Sequence, residues 1–463
     1  MGLSFKERGR IMKKKFMAAI LAGLMCVSVL AGCGGSGGSA GSATPAQSSG
    51  SDAQQTQSAA GADGKVQVEF WYAGGKTVVD LIQEIIDTYN ESQDQYHVTA
   101  VTQADYTETF QKLQAGIAGK AAPDLVLLDT APARQLYERG LVEALDAYQE
   151  ADETFNAEDY FEVYADQGKF TDGSTFARPM YGTIQICYYN IKAFEDAGVD
   201  PATVKTWQDM EAAAKKIKAA GYDYGWEPMG GDAKNLIDAA FANGAKVLSD
   251  DGTQVTVNTP EWVEVWESFR KWIHDDEIMI THQGGQGWQY WYDTIDDVIA
   301  GKAGGYTGSP GDAPDLDFSI VQAMEQPGWG SNPSAPWAQA LMLCIPKDSP
   351  DEEKQGAYDF LRYFTNAENQ AAFSIVSGYG PANKRVTDVA DYQTYMSENQ
   401  AAGVLLSQSE HASIYPVDPT GGAILDALNI AAEKVEVDGV SAQEALDEAQ
   451  KVAQEALDEA LGQ

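Results

Sequence analysis

The chain has 463 residues, with 31 basic against 69 acidic side chains and a formal net charge of −38. That excess of negative charge repels nucleic acid and anionic membrane surfaces, which excludes both as partners. The length, about 400 residues once a low-complexity opening is set aside, exceeds one ordinary core and points to two domains.

In chain order, the basic stretch Met12-Lys13-Lys14-Lys15-Phe16 leads into an apolar run from Met17 to Leu30. A helix needs about 20 residues to span a bilayer, and this run is shorter, so it reads as a cleaved signal peptide. Its end, Leu30-Ala31-Gly32-Cys33, resembles the bacterial lipobox, which implies cleavage after residue 32, acylation of Cys33 and a lipid anchor on the outer face of the cell membrane. Met1 and Met12 both remain open as the start of translation. Removal of residues 1–32 leaves 25 basic and 68 acidic residues. After Cys33, residues up to 62 are almost entirely Gly, Ser, Ala, Gln and Thr, with one Pro and no aromatic residue, the composition of a flexible tether over 33–62.

Val66 to Tyr72 alternates toward an aromatic end and predicts a strand, broken at Gly74-Gly75. Residues 76–90 place Val79, Ile82, Ile86 and Tyr89 on one helical face. His97 to Val101 predicts a second strand, Phe110, Leu113 and Ile117 a second helix, and Leu125 to Leu128 a third strand. This alternation is that of a parallel sheet with helices on its faces, where ligands sit outside the carboxyl ends of the strands. Trp71-Tyr72 and Asp129-Thr130 occupy two of those ends. Further on, Ile184 to Tyr189 predicts a strand and 206–220 a helix capped by Thr206 and stopped by Gly221. Trp262, Trp266, Phe269 and Ile273 share one helical face and read as core. Ala340 to Ile345 predicts a strand, 351–373 a helix, and Ser441 opens a last, surface helix with a capping box in which QEALDEA recurs at 443 and 454. Cys187 and Cys344 lie in apolar runs and read as buried free thiols.

Six segments together resemble the family 1 extracellular solute-binding proteins, the relatives of maltose-, oligosaccharide- and glycerol-3-phosphate-binding proteins. They are AGKAAPDLVLLD (118–129), YERGLVEALDAY (137–148), YYNIKAFEDAGVD (188–200), TWQDMEAAAKKIKAAG (206–221), GAYDFLRYFTNAENQAAF (356–373) and GYGPANK (378–384). The resemblance implies an α/β, two-lobed periplasmic-binding-protein fold of type II-like topology, with discontinuous lobes joined by a hinge and the ligand in the cleft between them. It places crossings near Tyr181–Cys187, Gly304–Ser309 and Phe364–Gln370. The lobes would then be 63–183 with 307–367, and 184–306 with 368–463. It further implies a monomeric substrate-binding lipoprotein of an ABC importer. Such a protein closes on its solute and delivers it to a two-subunit permease with separate ATPases. No cofactor or metal is expected.

A sugar site needs aromatic faces for the C–H side of the ring and planar polar groups for its hydroxyls. The aromatics in Gly-rich, turn-like contexts are Trp71, Tyr72, Tyr181, Trp226, Trp288, Tyr290, Trp291, Tyr306, Trp329, Trp337 and Tyr379. By resemblance, Trp71, Asp129, Tyr181, Trp226, Tyr306, Ser309, Trp337 and Tyr379 line the cleft, with Tyr72 beside Trp71. Asp129 either accepts sugar hydroxyls or caps the helix after it; Glu227 and Asp105 are weaker candidates of the same kind. Phosphate recognition wants an Arg fork or a helix N-terminus. From Val386 to Gln463 there is no Arg, and only Lys434 and Lys451 are basic, although Arg178 or Lys76 could substitute. A neutral mono- or oligosaccharide is therefore preferred, with glycerol-3-phosphate or another small solute, or a ligand-presenting sensor role, as the alternatives. His97, His274, His282 and His411 form no H-E-x-x-H motif, so a zinc enzyme is not expected. Asp312, Asp315 and Asp317 lack EF-hand spacing and read as a solvated loop.

Overall fold

The computed structural model describes residues 64–74, 76–284 and 289–462. The signal segment, Cys33, the tether, Trp288 and the side chain of Lys76 lie outside the described residues. Strand β1 (Val66–Ala73) turns Val68, Phe70 and Tyr72 inward, as its alternation predicts. The helix Lys76–Ser92 carries the chain to β2 (Tyr96–Gln103), and the helix Tyr106–Gly119 to β3 (Leu125–Asp129). Strand β1 pairs in parallel with both β2 and β3, the arrangement that helical crossovers impose.

The remaining strands divide between two sheets. Strands β4 (Arg178–Thr183), β9 (Trp337–Cys344) and β10 (Gly380–Pro381) extend the first into the order β10-β4-β9-β3-β1-β2, with the short β11 (Ser413–Ile414) beside the start of β9. Strands β5 (Ile186–Asn190), β6 (Glu227–Pro228), β7 (Gly305–Gly308) and β8 (Val321–Met324) form the second, ordered β6-β7-β5-β8. Each sheet is the centre of one lobe.

The crossing expected near Tyr181–Cys187 lies between β4 and β5. The other two are displaced. Strands β7 and β8 both pair with β5, so the chain does not leave the second sheet at 304–309 but between β8 and β9. Nor does it cross at 364–370. Asn366 accepts from the amide of Asn369 and starts a new helix, Ala367–Ser377, which stays on the first lobe against the helix Lys76–Ser92. The predicted helix 351–373 is thus two, Asp351–Phe364 and Ala367–Ser377. The return comes after β11, where the helices Ala423–Glu436 and Ala442–Leu461 pack on the helix Pro260–Arg270 of the second lobe. Residues 305–324 therefore belong to the second lobe, 367–398 pack with the first, and the helix Gln400–Ser409 lies across both, against β8 and β10. The expected boundaries 307–367 and 368–463 are corrected accordingly.

Local signals hold. Thr206 and Asp209 form a reciprocal capping box, and Ser441 accepts from the amide of Glu444. Trp262, Trp266 and Phe269 are buried, and Leu446 and Leu457 of the repeated heptapeptide share the buried face of the last helix. Cys187 and Cys344 are free and buried, one in each sheet, and burial pushes the Cys187 thiol up to about 12. Among the described residues, no helix is long and apolar enough to cross a membrane.

Gly305 marks a close approach in the second core: a Cβ there would come within 2.3 Å of Trp226 Cζ3 and 2.5 Å of the Tyr188 carbonyl oxygen. Gly305→Ala should lower the unfolding free energy by about 1–3 kcal/mol through overpacking, read as a lower urea midpoint at an unchanged m-value.

Candidate functional site

The carboxyl ends of β1, β2 and β3 form one wall of an interlobe cleft. Asp129 ends β3 at the N-terminus of the helix Thr130–Glu138 but makes no side-chain cap bond, so its carboxylate is free. It is exposed to water, yet desolvation by the surrounding protein raises its pKa. A carboxylate that water reaches but that is hemmed in on its other sides belongs to a recess. Asp105, by contrast, spends its carboxylate on the amide of Glu108, at 2.7 Å, and is a cap. The residue after it, Tyr106, places its hydroxyl 2.7 Å from that of Tyr181 and within reach of the field of Asp129.

Tyr181 stacks between Phe373 and Tyr379, with ring centroids 4.9 and 5.0 Å away. The hydroxyl of Tyr379 bonds Ser309, and the Ser309 carbonyl accepts from Tyr188 at 3.1 Å. Tyr188 stacks on Tyr306 at 5.1 Å, and the Tyr306 hydroxyl donates to Asp312 Oδ2 at 3.1 Å. Trp291 Nε1 donates to the other oxygen, Oδ1, at 2.9 Å. This ladder runs from the first sheet to the second. Asp312 is buried within it rather than solvated, and burial pushes its carboxyl up to about 7.

The opposite wall comes from the segment after β6. Asp232 is exposed but, like Asp129, has its pKa raised by desolvation; its field reaches Tyr290, whose ring lies against Gly231. The helix Lys234–Ala242 starts beside the first residue of β9, Trp337. Lys234 Nζ lies 4.3 Å from the centroid of the Trp337 ring and donates to the Trp337 carbonyl at 2.7 Å. Tyr415 packs on the same indole, tilted by 34°, with ring centroids 4.5 Å apart. Since Asp129 pairs with Leu341 across antiparallel strands, Trp337 overhangs the sheet on the Asp129 side.

A sequence profile of the bacterial extracellular solute-binding proteins matches residues 84–398, well over half of the chain. The chain belongs to the bacterial extracellular solute-binding proteins. It is 24% identical over 336 residues to the sn-glycerol-3-phosphate-binding periplasmic protein UgpB of Rhizobium meliloti (strain 1021), covering 69% of this chain and 76% of that one. It shares its fold with the sugar-binding protein MalE of Xanthomonas citri, with a TM-score of 0.76, 18% identity, and 85% and 98% of the two chains covered. UgpB of Mycobacterium tuberculosis, solved with glycerophosphocholine, superposes with a TM-score of 0.73 at 23% identity, over 86% of this chain and 100% of that one. As the binding component of an ABC importer, a solute-binding protein works with a permease and its ATPase.

Within that frame the sequence-derived candidates separate. Asp129, Tyr181, Ser309, Trp337 and Tyr379 gather along the cleft and its ladder. Trp71 is half-buried at the end of β1, its Nε1 donating to Glu69 at 2.5 Å. Tyr72, Trp226 and Tyr306 are not surface groups. Tyr72 packs on Phe70, Trp226 is fully buried with its Nε1 on Thr307, and Tyr306 is buried in the ladder. Trp329 is also interior, near Trp272, with its Nε1 on Glu264. Tyr106, Asp232, Lys234 and Tyr415 were missed. Tyr106 was legible as the first helical residue after a capping Asp at a strand end; the others are placed only by tertiary contact. Arg178 lies at the far end of β4, opposite Leu343, with its guanidinium over the rings of Phe155 and Tyr358. It cannot serve this cleft.

Trp226→Ala should cost about 3–5 kcal/mol of folding stability with or without ligand, as expected for a large core cavity, measured by chemical denaturation. Asp312 supplies a pH test. Its folded-state pKa stands above the unfolded value, so between about pH 4 and 7 the folded chain keeps a proton that the unfolded chain releases. The resulting stability is full below that window and lost as pH rises through it. Asp312→Asn is neutral throughout, so wild-type minus variant unfolding free energy should fall from pH 4 to 7 and then level.

Proposed function

We propose that the chain captures a neutral carbohydrate, mono- or oligosaccharide, by closing the two lobes on it. The observation that carries this reading is the uncapped, hemmed-in carboxylate of Asp129 facing a cleft whose other exposed carboxylate is Asp232. Carboxylates accept pairs of sugar hydroxyls, and the half-buried Trp337 and Tyr379 offer aromatic faces with polar edges. A phosphate fits less well. The one lysine at the described cleft, Lys234, is committed to the Trp337 carbonyl and to Asp238, 3.7 Å away, while two exposed carboxylates, the uncapped Asp129 and Asp232, whose Oδ1 accepts from the Lys234 amide at 2.8 Å, would repel the anion.

The reading is of binding rather than catalysis. It includes acylation of Cys33 after removal of residues 1–32, so that the protein stands on the outer face of the cell membrane by a tether and presents its loaded form to the permease. Diacylated anchors hold firmly, each buried CH₂ contributing about 0.8 kcal/mol.

Calorimetric titration against neutral mono- and oligosaccharides, glycerol-3-phosphate and glycerophosphocholine tests the ligand class. One neutral sugar should bind and raise Tm by several degrees, since ligand at 100 times its Kd adds about 2.7 kcal/mol. Asp129→Asn and Trp337→Ala should each abolish that shift while leaving the ligand-free Tm nearly unchanged. Binding of a phosphate ester alone, or sugar binding retained in both variants, overturns the assignment.

A further inference from the structure

Outside the cleft, three side chains distant in sequence converge on one point of the second lobe: Glu227 on β6, His282 on the loop after Met279, and Asp297 on the helix Gln289–Ile299. One ligand atom from each can be chosen so that all lie within 4.8 Å of one another. His282 Nε2 is 3.1 Å from Asp297 Oδ2 and 3.8 Å from Glu227 Oε2. Glu227 is fully buried, and neither of its carboxylate oxygens has a hydrogen-bond partner. An ionised carboxylate without a partner is among the costliest groups to bury. This one points at an imidazole nitrogen and a second carboxylate.

We propose that Glu227, His282 and Asp297 form a site for a divalent transition ion of the zinc type, which ties β6, the 279–284 loop and the helix Gln289–Ile299 together. Ligand types and number match a three-residue zinc set with a fourth position left to water. Tetrahedral bonds of about 2.0–2.1 Å put ligand atoms about 3.3 Å apart, so the His–Asp spacing already fits and Glu227 needs only a small inward shift. The imidazole favours zinc, cobalt or nickel over magnesium and calcium. Asp297 retains a second partner, its Oδ1 accepting from Lys302 Nζ at 2.6 Å, which holds the carboxylate in place. His282 is partly exposed, which gives the ion a way in.

The consequence reaches the cleft. A Cβ on Gly230 would come within 2.3 Å of the His282 carbonyl oxygen, and the Gly231 amide donates to Gln283 at 3.0 Å. The loop carrying His282 is therefore the backing of the wall that holds Asp232, and an ion there would stiffen it.

The metal-free account makes Glu227 a protonated acid, since burial pushes its carboxyl up to about 9. The two accounts differ on Glu227→Gln, which preserves shape but removes the ligand. Purified, untagged full-length protein, stripped with chelator, is titrated with Zn2+ in the presence of excess Mg2+, and with Co2+ followed by visible absorption. One Zn2+ per chain, a rise in Tm, and the intense bands of four-coordinate Co2+ are expected. Glu227→Gln and His282→Ala should each weaken Zn2+ binding by more than about 100-fold, beyond the loss from removing an outer-shell partner. No binding, or binding of equal strength in both variants, overturns the site and assigns any uptake to surface carboxylates. If His282→Ala fails to fold by circular dichroism, Glu227→Gln alone decides.

Discussion

The arrangement of the two lobes depends on one buried carboxylate, Asp238. Its Oδ1 accepts from the backbone amide of Trp337 at 2.7 Å, at the point where β9 enters the first sheet, and its Oδ2 accepts from Gln326 Nε2, also at 2.7 Å, on the segment that leaves the second. Gln326 Nε2 also reaches the carbonyl of Gln185, on the other crossing, which accepts in addition from Gln408. Two of the three crossings and the helix Gln400–Ser409 are thus pinned to a helix of the second lobe through one acidic group. Lys234, also buried, supplies the counter-charge. Burial raises the pKa of Asp238, and the ammonium together with the two hydrogen bonds opposes that rise. A buried ion pair of this kind contributes little net stability, but removing one member is costly. Its value here is positional: it fixes where the lobes meet, beside a hydrophobic cluster that already runs from Val126 and Met342 of the first sheet to Ile186 and Val321 of the second.

The aromatic ladder has the complementary role. Tyr181, Phe373 and Tyr379 stack at 4.9–5.0 Å within the first lobe, Tyr188 and Tyr306 at 5.1 Å within the second, and hydrogen bonds at Ser309 link the two stacks. Tyr181, at the middle of the first stack, also shares a hydrogen bond with Tyr106 on the cleft wall, so the stack is continuous with the residues that would meet a ligand.

The parallel half of the first sheet was legible in sequence because each strand and its crossover helix lie in one short stretch, and the ends of β1 and β3 follow from that alone. The crossings were less so. Strands β7 and β8 are short, and their membership of a sheet is decided by partners more than 100 residues earlier, at β5. The aromatic candidates failed for a more instructive reason. A glycine beside an aromatic was read as a turn that exposes the ring, whereas here several mark places where a ring lies flat on bare backbone. A Cβ at Gly305 would strike Trp226, at Gly308 the ring of Tyr306, and at Gly231 that of Tyr290. Glycine therefore signals close packing of Trp226 and Tyr306 in the core as readily as it signals a site. Asp129 was resolved by the opposite kind of detail, the absence of a cap bond that the sequence allowed.

Charge bears on the ligand at two distances. At long range a net charge of −38 steers anionic solutes away, but within about 8 Å screening leaves only local groups to act. Those local groups include Asp129 and Asp232, both solvent-accessible, while Lys234 is buried and already paired. An anion would meet repulsion on approach and again at these carboxylates, and among the described residues the lysine of the cleft, Lys234, is already paired with Asp238. That pair is also part of the fulcrum at Asp238, so a phosphate that recruited Lys234 would do so at the cost of the contact that pins the two lobes. A polyhydroxylated neutral ligand makes no such demand. Its hydroxyls donate to the uncapped Asp129 carboxylate and leave Asp238 with its partners, which supports the proposed carbohydrate.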